Sequence, residues 1–98
     1  MSFDINSIRA DFPILSREVN GKPLVYLDNG ASSQKPQVVI DAINTAYSQE
    51  YANVHRGLHF LSNLATEKYE AVRSIVAKFL YVDDENDIIL NSGTTEGI

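Results

Sequence analysis

The chain has 98 residues, with 8 Lys+Arg against 13 Asp+Glu and a net charge of -5. No stretch concentrates Lys or Arg enough to attract a phosphodiester backbone, which sets nucleic acid aside as a partner. Cysteine is absent, so disulfides, a thiolate zinc site and a cysteine nucleophile are excluded within these residues.

The opening FDINSIRADFPIL carries Asp4 and Asp11 and no apolar run, so it is no secretory signal peptide. Ile5, Ile8 and Phe12 recur at helical spacing, with Asp4 as N-cap and Pro13 as terminator, which predicts a short amphipathic helix. In REVNGKPLVYLD, Asn20-Gly21 supplies the two positive φ angles of a type I′ turn between short extended pieces, and Leu24–Leu27 reads as a brief strand. Asp28-Asn29-Gly30-Ala31-Ser32-Ser33 is a small-residue loop that either lets backbone approach a ligand or simply connects. Pro36 suits the first turn of a helix, because its missing N–H is unpaired there anyway.

From Pro36 to about Tyr51, apolar Val39, Ala42, Ile43, Ala46 and Tyr47 recur at three and four, one face of a helix. ANVHRGLHFLSN breaks the pattern at Gly57, with Ser62 or Asn63 as the next cap. A second long helix runs to about Leu80, with Ala65, Tyr69, Val72, Val76 and Phe79 expected inside and Glu67, Lys68, Glu70 and Arg73 facing water. SIVAKFLYV is interrupted by Lys78 and far too short to cross a bilayer, so a cytoplasmic chain with no membrane partner is expected. The acidic turn DDEND leads to Ile88-Ile89-Leu90, which reads as a buried strand. Three helices and two isolated short strands do not make a sheet, since each strand needs neighbours to pair its backbone groups. The inventory therefore reads as a mostly α-helical piece, with two or three short strands, of a larger α/β protein. It divides into an arm, hairpin and loop over 1–35, and two helices, strand and terminal turn over 36–98.

Gly93-Thr94-Thr95-Glu96-Gly97, after that strand, is the most informative local signal. Gly93 allows close backbone approach, the amides of Thr94 to Glu96 point outward at a helix start, and the threonine hydroxyls add donors for phosphate oxygens. An ordinary helix start in which Thr94 or Thr95 merely caps gives the same pattern. No Gly-Lys-Ser/Thr or GxGxxG is present. His55 and His59 have the i, i+4 spacing of metal pairs, but Gly57 lies between them and no Glu or Cys joins them, so no metal is expected. Arg56 reads either as a bidentate carboxylate binder or as a surface arginine.

In order and spacing, DFPILSREVNGKPLVYLD, the SSQKP loop, NVHRGLH, ATEKYEAVR and SGTTEGI resemble the N-terminal segment of group II cysteine desulfurases, the SufS type, with selenocysteine lyases as close relatives. The resemblance covers essentially the whole chain from Met1. It implies a parent of pyridoxal 5′-phosphate fold type I in the class V aminotransferase family, acting as a homodimer on L-cysteine or L-selenocysteine. Such enzymes release L-alanine and pass persulfide sulfur to an acceptor protein of iron–sulfur cluster assembly. It further implies that Thr94 and Thr95 hold the cofactor phosphate, that Gly30 and Ala31 lie in the loop approaching substrate, and that His55 and Arg56 lie near the active-site entrance. Glu96 would sit near the dimer interface. Family members usually carry two alanines where this chain has Gly30-Ala31, which implies a more flexible loop here. The catalytic lysine and cysteine of the family lie beyond Ile98, so no catalytic residue is expected in these 98 and the isolated piece should be inactive, binding the cofactor weakly or not at all. A free-standing helical interaction module is the competing reading, and it would ignore the cofactor.

Overall fold

The computed structural model describes residues 2–55 and 58–98. It divides into two compact units, Met1–Gln49 and Glu50–Ile98.

In the first unit, helix α1 (Ile5–Ala10) starts at Asp4, whose carboxylate accepts from the Ser7 amide at 3.3 Å and from the Ser7 hydroxyl at 2.7 Å. Those bonds satisfy an otherwise orphaned donor of the first turn and hold the Asp4 carboxyl below its ordinary 3.8. A 3₁₀ turn at Pro13–Ser16 follows. Strands β1 (Glu18–Val19) and β2 (Lys22–Pro23) then pair antiparallel, with Glu18 opposite Pro23 and Val19 opposite Lys22. The turn between them has Asn20 at φ 54° and Gly21 at φ 73°, as the Asn-Gly pair requires. Helix α2 (Gln37–Thr45) begins one residue later than the sequence suggested, with Pro36 as an extended N-cap, and continues as a π-helical turn over Ala46–Glu50. The Gln37 amide donates to the Asp11 carbonyl at 2.7 Å, which ties the start of α2 to the end of α1.

The second unit is built on helix α3 (Phe60–Leu80). Its cap is neither Ser62 nor Asn63 but His59, whose Nδ1 accepts from the Ser62 amide at 3.3 Å. At its far end Tyr81 adopts a left-handed conformation, φ 58° and ψ 38°, and the Val82 amide reaches back to the Ala77 carbonyl at 2.9 Å. A 3₁₀ turn, Glu85–Asp87, is opened by the Asp84 carboxylate accepting from the Asn86 amide. The four-residue helix α4 (Thr94–Gly97) ends the chain.

Two expected strands do not form. Residues 24–27 and 88–90 join no ladder, and β1 and β2 make the one sheet among the described residues. An apolar run becomes a strand when a neighbour completes its ladder; here only single bonds form, from the Leu24 amide to the Arg17 carbonyl and from the Ile88 amide to the Glu85 carbonyl, each at 3.1 Å. The expected burial along α3 is met only in part: Ala65 and Val76 are half-buried, whereas Tyr69 and Val72 are exposed and Phe79 is 81% exposed. Tyr47 of the first unit, expected inside, is exposed as well. Among the described residues, Ala77 and Ser62 alone are buried, with Ser62 at 2% exposure. The chain presents 8651 Å² to solvent, whereas even two separate folded domains of half its mass would together present about 6,700 Å². The excess reflects large apolar side chains turned outward.

Tyr81 is 94% exposed, so its side chain contributes little packing to offset a left-handed backbone. Replacing it with glycine should therefore raise stability by about 1 kcal/mol. Tyr81→Ala should bring no gain, the comparison being made by urea titration of the helical circular dichroism.

Candidate functional site

The terminal turn is assembled from side chains four residues apart. Ser92 donates its amide to the Glu96 carboxylate at 2.8 Å, and its hydroxyl makes a short hydrogen bond to the same oxygen. Asn91 Oδ1 accepts from the Gly93 amide at 2.8 Å. Gly93 itself sits at φ 148°, ψ -178°, a conformation that any Cβ would strain. With the chain turned this way, Gly97 and Ile98 donate back to the Gly93 and Thr94 carbonyls. The amides of Thr94, Thr95 and Glu96 are left without a partner among the described residues. Ser92, Gly93, Thr94, Thr95 and Glu96 line one open concavity.

Three unpaired amides and two threonine hydroxyls at a helix start form a donor set suited to a phosphate group. The residues present fit such a group, with one opposing feature: Glu96 brings a carboxylate to the same turn. Its engagement with Ser92 leaves the three amides available. The Ser92 hydroxyl first, and then the Ser92 amide, hold the Glu96 carboxyl below its ordinary 4.5 against a smaller opposing desolvation. The sequence reading missed this contact, although Ser and Glu at i, i+4 were its visible signal.

The loop carrying Gly30 and Ala31 belongs to the first unit. The Asp28 carbonyl accepts from the Ala31 and Ser32 amides at 3.0 and 3.1 Å. Asn29 Oδ1 accepts from the Gln34 amide at 3.0 Å, and the Tyr26 hydroxyl donates to the Ser32 carbonyl at 2.7 Å. These bonds tie the loop at both ends. Gly30 has no positive φ, and a Cβ there would meet nothing within 4 Å.

His55 is exposed, and its amide donates to the Asn53 carbonyl at 2.9 Å. It is not among the residues lining the concavity at Thr94 and Thr95. Arg56 lies outside the described residues. Lys68 faces water, as expected, and pairs with Glu50 at 2.6 Å. Among the described residues no three His, Asp or Glu are placed to hold a metal ion, and no helix is long and apolar enough to cross a membrane.

Residues 25–98 match the aminotransferase class-V family model, and the chain belongs to that family. All 98 residues align at 57% identity with a cysteine desulfurase of Yersinia pseudotuberculosis serotype O:1b (strain IP 31758). Cysteine desulfurases of Yersinia pestis (strain Pestoides F) and Y. pseudotuberculosis serotype O:3 (strain YPIII) are 56% identical over the same span. In each case the alignment covers 100% of this chain and 24% of the relative, so the chain spans about a quarter of the length of the curated relatives it matches.

Two outcomes are expected. Because the Glu96 carboxyl titrates lower in the folded turn than when unfolded, its contribution to the turn is complete above the unfolded value and is lost as pH falls through the folded one. A ¹³C titration of its side chain should therefore show a midpoint under 4.5 that returns toward 4.5 in Ser92→Ala. Gly30→Ala, at an unstrained and open position, should stabilise the first unit by about 0.4–1 kcal/mol, read as a shift in the thermal or urea midpoint.

Proposed function

We propose that these residues form part of a pyridoxal 5′-phosphate-dependent cysteine desulfurase of the SufS type. Such an enzyme converts L-cysteine to L-alanine and delivers persulfide sulfur to an acceptor protein of iron–sulfur cluster assembly. The observation that carries this reading is identity of 56–57% along the entire chain to relatives named cysteine desulfurase. In this reading the enzyme has fold type I, works as a cytoplasmic homodimer, and uses these residues for cofactor holding and framework.

The roles follow from the donors each residue presents. Thr94 and Thr95 hold the cofactor phosphate through their hydroxyls and, with Glu96, through the amides that the turn leaves unpaired. Gly93 makes this close approach feasible because its backbone occupies a region that side chains avoid. Glu96 keeps Ser92 and the turn in register, so the donors are in place before the anion arrives and little ordering is needed on binding. Gly30 and Ala31, on their hydrogen-bonded loop, form part of the wall facing substrate. His55 and Arg56 lie at the entrance. When bound, pyridoxal phosphate supplies the electron sink for breaking bonds at the substrate's α and β carbons.

No cysteine occurs in the 98 residues, so the thiolate that receives sulfur is not among them. By themselves they should not turn over L-cysteine. The test is expression of the full product of the gene that encodes these residues, followed by measurement of visible cofactor absorbance and of alanine released from L-cysteine. Absorbance with alanine release is expected; a colourless protein that leaves L-cysteine untouched would overturn the reading. Running L-selenocysteine in parallel separates a desulfurase from a selenocysteine lyase. Thr94→Val and Thr95→Val should each weaken cofactor binding roughly ten- to a hundredfold, the loss expected for one hydrogen bond to a charged group.

A further inference from the structure

Ser62 combines burial and polarity in a way the terminal turn does not explain. At 2% exposure it is the most buried side chain described, in a unit whose large apolar residues face outward. A buried hydroxyl is costly unless bonded, and alanine is the better helix former. Ser62 lies in the first turn of α3. It reaches a separate segment, donating toward the Asn53 carbonyl at 3.0 Å and the His55 carbonyl at 2.9 Å. Its amide is held by His59 Nδ1 at 3.3 Å, and its carbonyl accepts from the Thr66 hydroxyl at 2.9 Å. Both sides of the residue are thus fixed within α3 while its hydroxyl grips the turn at 53–55.

We propose that Ser62 is a positioning residue: its buried hydroxyl fixes the Asn53–His55 backbone to the first turn of α3, and so sets where the His55 imidazole meets a small amino-acid substrate. The proposal rests on the desulfurase reading for the identity of that substrate. The hydroxyl has one proton for two carbonyls, so it draws Asn53 and His55 to a common point. The exposed imidazole of His55 inherits its direction from that backbone. Truncation of Ser62 leaves α3 its length and caps but frees the turn.

The test uses the full gene product with Ser62→Ala and Ser62→Thr, the latter retaining the donor. In Ser62→Ala, amide exchange of residues 53–55 should accelerate about tenfold while residues 64–80 change little, as expected for loss of one buried hydrogen bond. The KM for L-cysteine should rise about tenfold with kcat changed far less, the pattern of lost binding. Ser62→Thr should recover both most of the way. Unchanged exchange over 53–55, or an unchanged KM in an active protein, overturns the proposal alone. Uniform acceleration through α3 with kcat and KM failing together also overturns it, since Ser62 would then serve stability only. A wild-type protein that releases no alanine from L-cysteine overturns the desulfurase reading and with it the substrate role of Ser62.

Discussion

The start of a helix or turn leaves backbone amides without a partner inside the element, and in this chain nearby side chains supply acceptors for several of them. Asp4 serves α1, His59 serves α3, Asp84 serves the 3₁₀ turn, and Asn91 with Glu96 serves the turn into α4. Each supplies an acceptor to an amide no more than four residues away. Where no such partner exists, regular structure stops. Residues 24–27 and 88–90 have the composition of strands and join no ladder, because a strand's partners come from another strand and not from its own side chains.

Apolar burial plays the smaller part. Ile75, Phe79 and Ile89 are well exposed, although along α3 the apolar residues fall on one helical face. A face of that kind is normally what stabilises a helix in a protein. Here it is left uncovered, and helix caps with a few ion pairs carry a larger share. The Lys68–Glu50 pair is close at 2.6 Å but partly exposed, and such pairs contribute about 0–1 kcal/mol.

The terminal turn shows how such a chain can nevertheless prepare a site. Donors for a phosphate come from consecutive amides, and consecutive amides are oriented by local geometry alone. Gly93 in its unusual conformation and the Ser92–Glu96 contact suffice to aim them. Substrate contacts are different in kind, because they require residues far apart in sequence to be brought to one place.

Features set by a few adjacent residues were legible in the sequence by itself: the Asp4 cap, the Asn20-Gly21 hairpin, the α2 and α3 periodicities, the Gly-Thr-Thr turn and, through the order of its motifs, the family. Their physical causes, side-chain caps, allowed φ angles and 3.6-residue spacing, act within one turn of chain. The tertiary structure alone decided that the two apolar runs would join no sheet, that Phe79 and Tyr69 would face water, and that His59 would cap α3. It also decided that Ser62, read as a cap, would become the buried anchor of the 53–55 turn. Those outcomes depend on what lies within hydrogen-bonding or van der Waals reach after the chain has folded, and the periodicity of a sequence carries no record of whether its partner is there.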